Sequence, residues 1–180
     1  MNDRNQSAGF TVVEIVIAIV VIGILASMAV IGLGEVAKQS RDTKRRTDME
    51  TLTKAMTSWA NDNGKTPIQT GAGYAGLGHG YVTTSDPDYP KSIDKLLQEG
   101  GYLGGDVKDP KKPSDVGAYM FYACASWVPT NKVYGFFAKL EAPTAKDTAT
   151  VTKWQGDGCY TEPLDPYYGM NYVRVFTYDN

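Results

Sequence analysis

Residues Phe10 to Gly34 read FTVVEIVIAIVVIGILASMAVIGLG, and 19 of these 25 positions are apolar. Glu14 is the single charge in the stretch, and the run from Ile15 to Gly34 carries none. That run, at about 1.5 Å rise per residue, makes a helix about 30 Å long, the thickness of a bilayer hydrocarbon core. An apolar run of this length can satisfy its backbone in lipid only as a helix or within a closed barrel, so its richness in Ile and Val does not argue for a strand. The stretch reads as a membrane-spanning helix.

The rest of the chain has a different character. Its 180 residues carry 18 Lys and Arg against 20 Asp and Glu, a formal net charge of −2. Phosphate neutralisation needs concentrated Lys and Arg, so the whole-chain charge argues against a dedicated nucleic-acid binder and leaves only local patches. Two cysteines and the single His79 cannot by themselves build a four-ligand Cys/His zinc site. They also leave little material for a Ser-His or Cys-His nucleophile. Composition favours a protein without metal, cofactor or catalytic activity, although a carboxylate-based glycosidase needs none of these residues.

Directly after the span, Glu35 to Asn61 contains no Pro or Gly. Leu52, Ala55, Met56, Trp59 and Ala60 fall at i, i+3, i+4, i+7 and i+8, which predicts a helix with one apolar stripe, continuous with the span and ended by Asn63-Gly64. The polar run Lys38 to Arg46 reads as a solvated face or a subunit contact. Farther on, Gly71-Ala72-Gly73-Tyr74-Ala75-Gly76 is a literal G-x-G-x-x-G, but it follows a helix rather than a strand and is read as accidental. Gly64-Lys65-Thr66 fails as a phosphate loop because Trp59 occupies the required earlier glycine position. His79 is assigned to a solvent-facing loop.

Ser92 to Gly100 predicts a short helix with Ser92 as N-cap. Asp109-Pro110 and Lys112-Pro113 predict turns. Ala118 to Ser126, Lys132 to Glu141 and Tyr172 to Tyr178 predict strands, the first two joined across Pro129-Thr130-Asn131. An antiparallel sheet laid across Leu52, Met56 and Trp59 would give the head one core. Asp157, Glu162 and Asp165 match no EF-hand spacing and are read as turn residues, so no metal site is assigned.

Three readings fit the N-terminus. A secretory signal would use Arg4 and Ser27-Met28-Ala29, and a simple anchor would need only the apolar run. Neither explains Glu14, because a carboxylate near the start of a spanning helix costs about 1–3 kcal/mol. The third reading rests on a resemblance. Gly9-Phe10-Thr11-Val12-Val13-Glu14 and the run Ile15 to Ala26 resemble the class III signal of type IV pilins and pseudopilins.

The resemblance implies an α+β fold, a long N-terminal helix packed against a small antiparallel head. It also implies a division into leader 1–9, membrane and filament-core helix 10–34, amphipathic stalk helix 35–62, and head 63–180. Prepilin peptidase would cut between Gly9 and Phe10, and the new Phe10 amine would be methylated. Glu14 would pair with the N-terminal ammonium of Phe10 in a neighbouring subunit, a pairing better suited to setting register than to adding stability. The precursor would sit in the cytoplasmic membrane with the inner-membrane assembly machinery as partner, then leave as a subunit of an extracellular homo-oligomeric filament. Many family members have a proline where Ile31 stands, and here Gly32 and Gly34 follow instead. Lys38, Arg41, Lys44, Arg45 and Arg46 follow the span while Arg4 alone precedes it, so the positive-inside count favours the opposite orientation to a pilin's. Cys124 and Cys159 would pair in an oxidising compartment, resembling the disulfide-bounded C-terminal region of many pilins, or remain two buried thiols. The alternatives are a pseudopilin of a type II secretion or DNA-uptake system and, from another class, a membrane-anchored extracytoplasmic binding domain or enzyme.

Overall fold

A single helix, α1, runs from Val12 to Asn63. In this computed structural model, residues 10–111, 119–124, 132–166 and 168–179 are described, with 29–32 described in backbone only. The expected leader with Gly9, the Lys112-Pro113 turn, the Pro129-Thr130-Asn131 loop and the outer ends of the first predicted strand lie outside the described residues. The first proline of the chain is Pro67, so nothing removes a backbone donor along the whole of α1. The helix stops where it is predicted to stop. Gly64 takes φ +59°, Lys65 N donates to Ala60 O at 3.2 Å and Gly64 N donates to Asn61 O at 3.4 Å. This is a Schellman cap, and glycine enters its left-handed position without a Cβ penalty.

Contacts within the chain divide it into two units, one ending at Lys38 and the other spanning Gln39–Asn180. From Val12 onward the first unit is the N-terminal part of α1. Its described apolar side chains are exposed: Val12 is 80 % exposed, Ile22 63 % and Leu33 68 %. The second unit joins the C-terminal part of α1 to a four-stranded antiparallel sheet, the α+β, pilin-like layout. β1 (Gly80–Tyr81), β2 (Tyr119–Ala123), β3 (Val133–Ala138) and β4 (Tyr172–Thr177) lie in chain order, with Phe121 opposite Phe136 and Phe136 opposite Arg174.

Side chains alternate across these strands, and both faces are apolar. On one face Tyr119, Phe121, Tyr134 and Phe136 pack with Met49, Leu52, Met56 and Trp59 of α1 and with Ile93 and Leu97 of α2 (Ile93–Glu99). On the other, Met120, Tyr122, Phe137 and Val173 pack with Trp154 of α3 (Ala145–Gly156) and with Met170. The single core expected from the sequence is thus two cores, one on each side of the sheet. Full burial of each such side chain contributes about 1.5–3 kcal/mol.

The second core depends on a helix that no apolar periodicity announces. α3 has only Val151 and Trp154 as large apolar residues and is rich in Thr, a weak helix former. Its beginning is secured by a reciprocal capping box: Asp147 N donates to Thr144 Oγ1 at 3.3 Å, and Thr144 N donates to Asp147 Oδ2 at 2.7 Å. Trp154 then lies edge-on to Phe137 with ring centroids 5.2 Å apart and donates from Nε1 to Tyr160 O at 2.8 Å. Gly135 makes room for it, since a Cβ there would stand 3.1 Å from the indole and 2.7 Å from Val173 Cγ2. Ser92 precedes α2 as expected, yet its hydroxyl donates to Asp94 Oδ1 at 2.5 Å instead of capping a backbone amide.

Candidate functional site

The first turn of α1 shows what Thr11 and Glu14 do for each other. Thr11 N and Thr11 Oγ1 donate to Glu14 Oε2 at 2.9 and 2.8 Å, and Glu14 N donates to Thr11 Oγ1 at 3.2 Å. Thr11-x-x-Glu14 is a capping box, so the helix start itself partners the carboxylate that the sequence reading left in need of a counter-charge. Both Thr11 bonds go to one oxygen, and Glu14 Oε1 has no partner among the described residues. Phe10, just before the cap, is 83 % exposed. Thr11 was legible as half of an S/T-x-x-E signature, and its role was missed because Glu14 was read for its charge alone.

The polar run after the span is solvated on one side only: Gln39, Ser40, Thr43 and Lys44 are exposed, while Asp42 and Arg45 are buried. Arg45 is 3 % exposed and Asp42 1 %. Arg45 Nε and Nη2 donate to the two carboxylate oxygens of Asp109 at 2.6 and 3.0 Å, and Nη1 reaches Asp42 at 2.7 Å and Glu141 at 3.1 Å. Arg41 holds Glu141 through two bonds, at 2.7 and 2.9 Å. Asp42 in turn accepts from the backbone N–H of Glu141 and Ala142 at 2.9 and 2.7 Å. Arg46 grips Asp147, the capping residue of α3, at 3.1 and 2.6 Å. Asp48 takes Lys44 at 2.8 Å and the Tyr119 hydroxyl at 2.8 Å.

Electrostatics follow the geometry. The hydrogen bonds from Arg41, then from Lys111 and Arg45, outweigh desolvation and hold Glu141 well below the usual carboxylate range. Burial pushes Asp147 upward, but the bonds from Arg46 and Thr144 overcome it and leave the carboxyl at about 2. Desolvation pulls Arg45 down, and its bonds to Asp109, Asp42 and Glu141 more than reverse this. These are fully partnered charges, an arrangement that costs much when broken and holds the helix and the loops around it in one register.

The other sequence features resolve into structure. The G-x-G-x-x-G lies between α1 and the two-residue β1, with Gly73 at φ +81° and Ala75 at φ +47° inside a 3-10 turn. It precedes no helix long enough to face a pyrophosphate. His79 is half-buried rather than solvent-facing: its ring centroid is 5.4 Å from that of Tyr122, and Nδ1 is 3.3 Å from Leu77 O. Asp157 pairs with Lys153 at 2.7 Å, and Glu162 accepts from the Tyr160 and Tyr168 hydroxyls. Among the described residues no group of three His, Cys, Asp or Glu is placed to hold a metal. Cys124 and Cys159 form a disulfide that ties the end of β2 to the segment after α3, and beside it Tyr160 N donates to Cys124 O at 2.8 Å.

A long helix whose described N-terminal apolar side chains are exposed, together with an α+β head, is a pilin-like layout. Residues 4–30 match the prokaryotic N-terminal methylation motif, the class III signal that is the signature of type IV pilins and pseudopilins. The motif implies processing by prepilin peptidase, membrane insertion of the precursor and assembly into a filament, and its family is structural rather than catalytic. No curated protein and no solved structure matches the chain.

Proposed function

We propose that this chain is the structural subunit of a type IV pilus, cut between Gly9 and Phe10 and polymerised through its apolar N-terminal helix. The observation that carries the reading is the coincidence of the methylation motif with a helix surface, Phe10 to Met28 and Leu33 to Val36, that the described residues of the chain leave bare. Water does not tolerate such a surface, and first lipid and then neighbouring helices would cover it. After cleavage, the Phe10 ammonium of one subunit meets the Glu14 carboxylate of the next. Thr11 holds Oε2 and leaves Oε1 for the incoming ammonium, so the acceptor is oriented before the partner arrives.

The positive-inside count opposes this orientation, but the charges behind it have other work in the folded chain. Lys38 pairs with Glu35, Lys44 with Asp48, Arg41 with Glu141, Arg45 with Asp42 and Asp109, and Arg46 with Asp147. The disulfide-bounded segment Cys124 to Cys159 favours a pilus subunit over a pseudopilin of a secretion or DNA-uptake machine, because it resembles the C-terminal region of many pilins. Mass spectrometry of the mature N-terminus tests the proposal. It is expected to find N-methylated Phe10, with fibres visible by electron microscopy. A mature chain beginning at Val30, after Ser27-Met28-Ala29, would overturn it.

A further inference from the structure

Among the described residues of Gln39–Asn180, ten cations form ion pairs within the unit and Lys65, Lys95, Lys139, Lys146 and Arg174 form none; the last two lie together at one edge of the sheet. A groove of about 530 Å³ runs between α3 and β4, floored by Trp154, Val173 and Val175. Arg46 and Lys153 on its wall are already paired with Asp147 and Asp157. Lys146 on the wall and Arg174 at the rim, where it also lines the hollow beside Thr43, Thr47 and Glu50, are exposed and form no ion pair among the described residues. Glu50, whose carboxylate also feels the charge of Arg174, is taken by Lys54 at 2.8 Å. Among the described residues β4 pairs with β3 alone, which makes it an edge strand.

The opposite edge of the same sheet carries the complement. β1 leads into Ser85-Asp86-Pro87-Asp88, where Asp88 is exposed, Asp86 half-exposed, and neither forms an ion pair among the described residues. This turn is held in one shape. Asp86 N donates to Thr84 Oγ1 at 3.0 Å, Asp88 N to Asp86 Oδ1 at 2.9 Å, and Ala75 N to Asp88 O at 2.8 Å. A turn ordered before contact loses little entropy on docking.

From this placement we infer that the α3–β4 groove receives the Asp86-Pro87-Asp88 turn of a second copy of this chain, with Lys146 and Arg174 taking its two carboxylates. The inference rests on the reading of the chain as a polymerising subunit. Turn and groove lie at opposite edges of one sheet, so the contact is heterologous: each head offers one of each and the row stays open-ended. Exposed ion pairs are individually weak and screened by salt. The contact therefore gains its strength from repetition along a fibre that the helices already hold together.

Full-length chains in detergent test it. Pro87→Cys and Thr150→Cys place thiols on the turn and in the groove without touching the four charges, and the native cysteines are both in the disulfide. A mixture of the two variants treated with a short bismaleimide is expected to give a crosslinked dimer that neither variant gives alone. The double variant should give a ladder. Adding Asp86→Lys and Asp88→Lys to the turn chain should lower the dimer yield about tenfold, the equivalent of about 1.4 kcal/mol. Lys146→Glu and Arg174→Glu in the groove chain should restore it. Absence of the mixed dimer, a turn-to-turn product, or a yield indifferent to charge reversal would overturn the contact. Loss of fibres in the groove-reversed chain without any mixed dimer would assign the groove to another anionic partner, and would equally overturn it. Electron microscopy of the wild-type chain separates the two ideas: fibres without crosslinks sink the contact alone, and crosslinks without fibres sink the filament reading alone.

Discussion

Arg45 and Asp109, 64 residues apart in the chain, meet as a two-pronged buried ion pair with N···O distances of 2.6 and 3.0 Å. The same guanidinium holds Asp42 and Glu141, so one side chain of α1 organises three carboxylates from three parts of the chain. Removing it would strand Asp42 and Asp109 in a site almost closed to water. Arg45→Ala is therefore expected to cost about 3–5 kcal/mol, and Arg45→Lys to rescue little of it, because an ammonium cannot reproduce the planar fork. Chemical unfolding of the full chain in detergent, followed by tryptophan fluorescence, measures both. A loss below about 1 kcal/mol in Arg45→Ala would show that the cluster contributes little to stability.

Glu141 and Asp147 make stability depend on pH at the acid end. Both carboxyls titrate lower in the folded chain than in the unfolded one, where Asp147 would have its ordinary value of 3.8 rather than about 2. A depressed carboxylate contributes stability above its unfolded pKa and loses it as pH falls through the folded one. Stability should be flat above about pH 5 and fall as the pH drops from about 4 towards about 2. Arg46→Gln should shallow that fall by removing a main cause of the Asp147 shift. A wild-type curve that keeps its full stability at pH 2 would contradict these pairings.

Gly135 lies under the Trp154 indole, and the space between them is smaller than a methyl group. Gly135→Ala should cost about 1–3 kcal/mol by overpacking, although alanine is ordinarily no worse than glycine in a strand. The near-ultraviolet circular dichroism of Trp154 should change with it. Unchanged stability together with an unchanged indole signal would mean that α3 can lift away without cost.

Glu14→Ala should insert in the membrane like the wild type but incorporate poorly into fibres, since it removes the proposed acceptor and not the apolar run. Thr11→Ala should show a milder defect of the same kind, because it frees the carboxylate without deleting it. Membrane fractionation and counts of surface fibres check the pair. Normal fibres in Glu14→Ala would count against reciprocal pairing between subunits.

The features that could be read in the sequence are those whose cause lies within a few residues. The helix Val12–Asn63 follows from an uninterrupted apolar run, a stripe at Leu52, Met56 and Trp59, the absence of proline, and Gly64 at the cap. β3 follows from a short run of β-branched and aromatic residues, and β4 from alternation over six residues. β1 has two residues and so no period to detect. α3 lacks an apolar stripe, and its one local sign is the pair Thr144 and Asp147, which the eye passes over among its other threonines.

The apolar segment and the capping box at Thr11 and Glu14 are properties of the sequence by itself, because backbone hydrogen bonds and lipid burial act over one or two helical turns. Only the tertiary structure decided which charges matter. Lys38 to Arg46 looks like any exposed polar helix until Asp109, Glu141 and Asp147 arrive from 64 to 101 residues away and exclude water from Asp42 and Arg45. Desolvation is set by what closes over a side chain, and a linear reading of this chain contains no term for it.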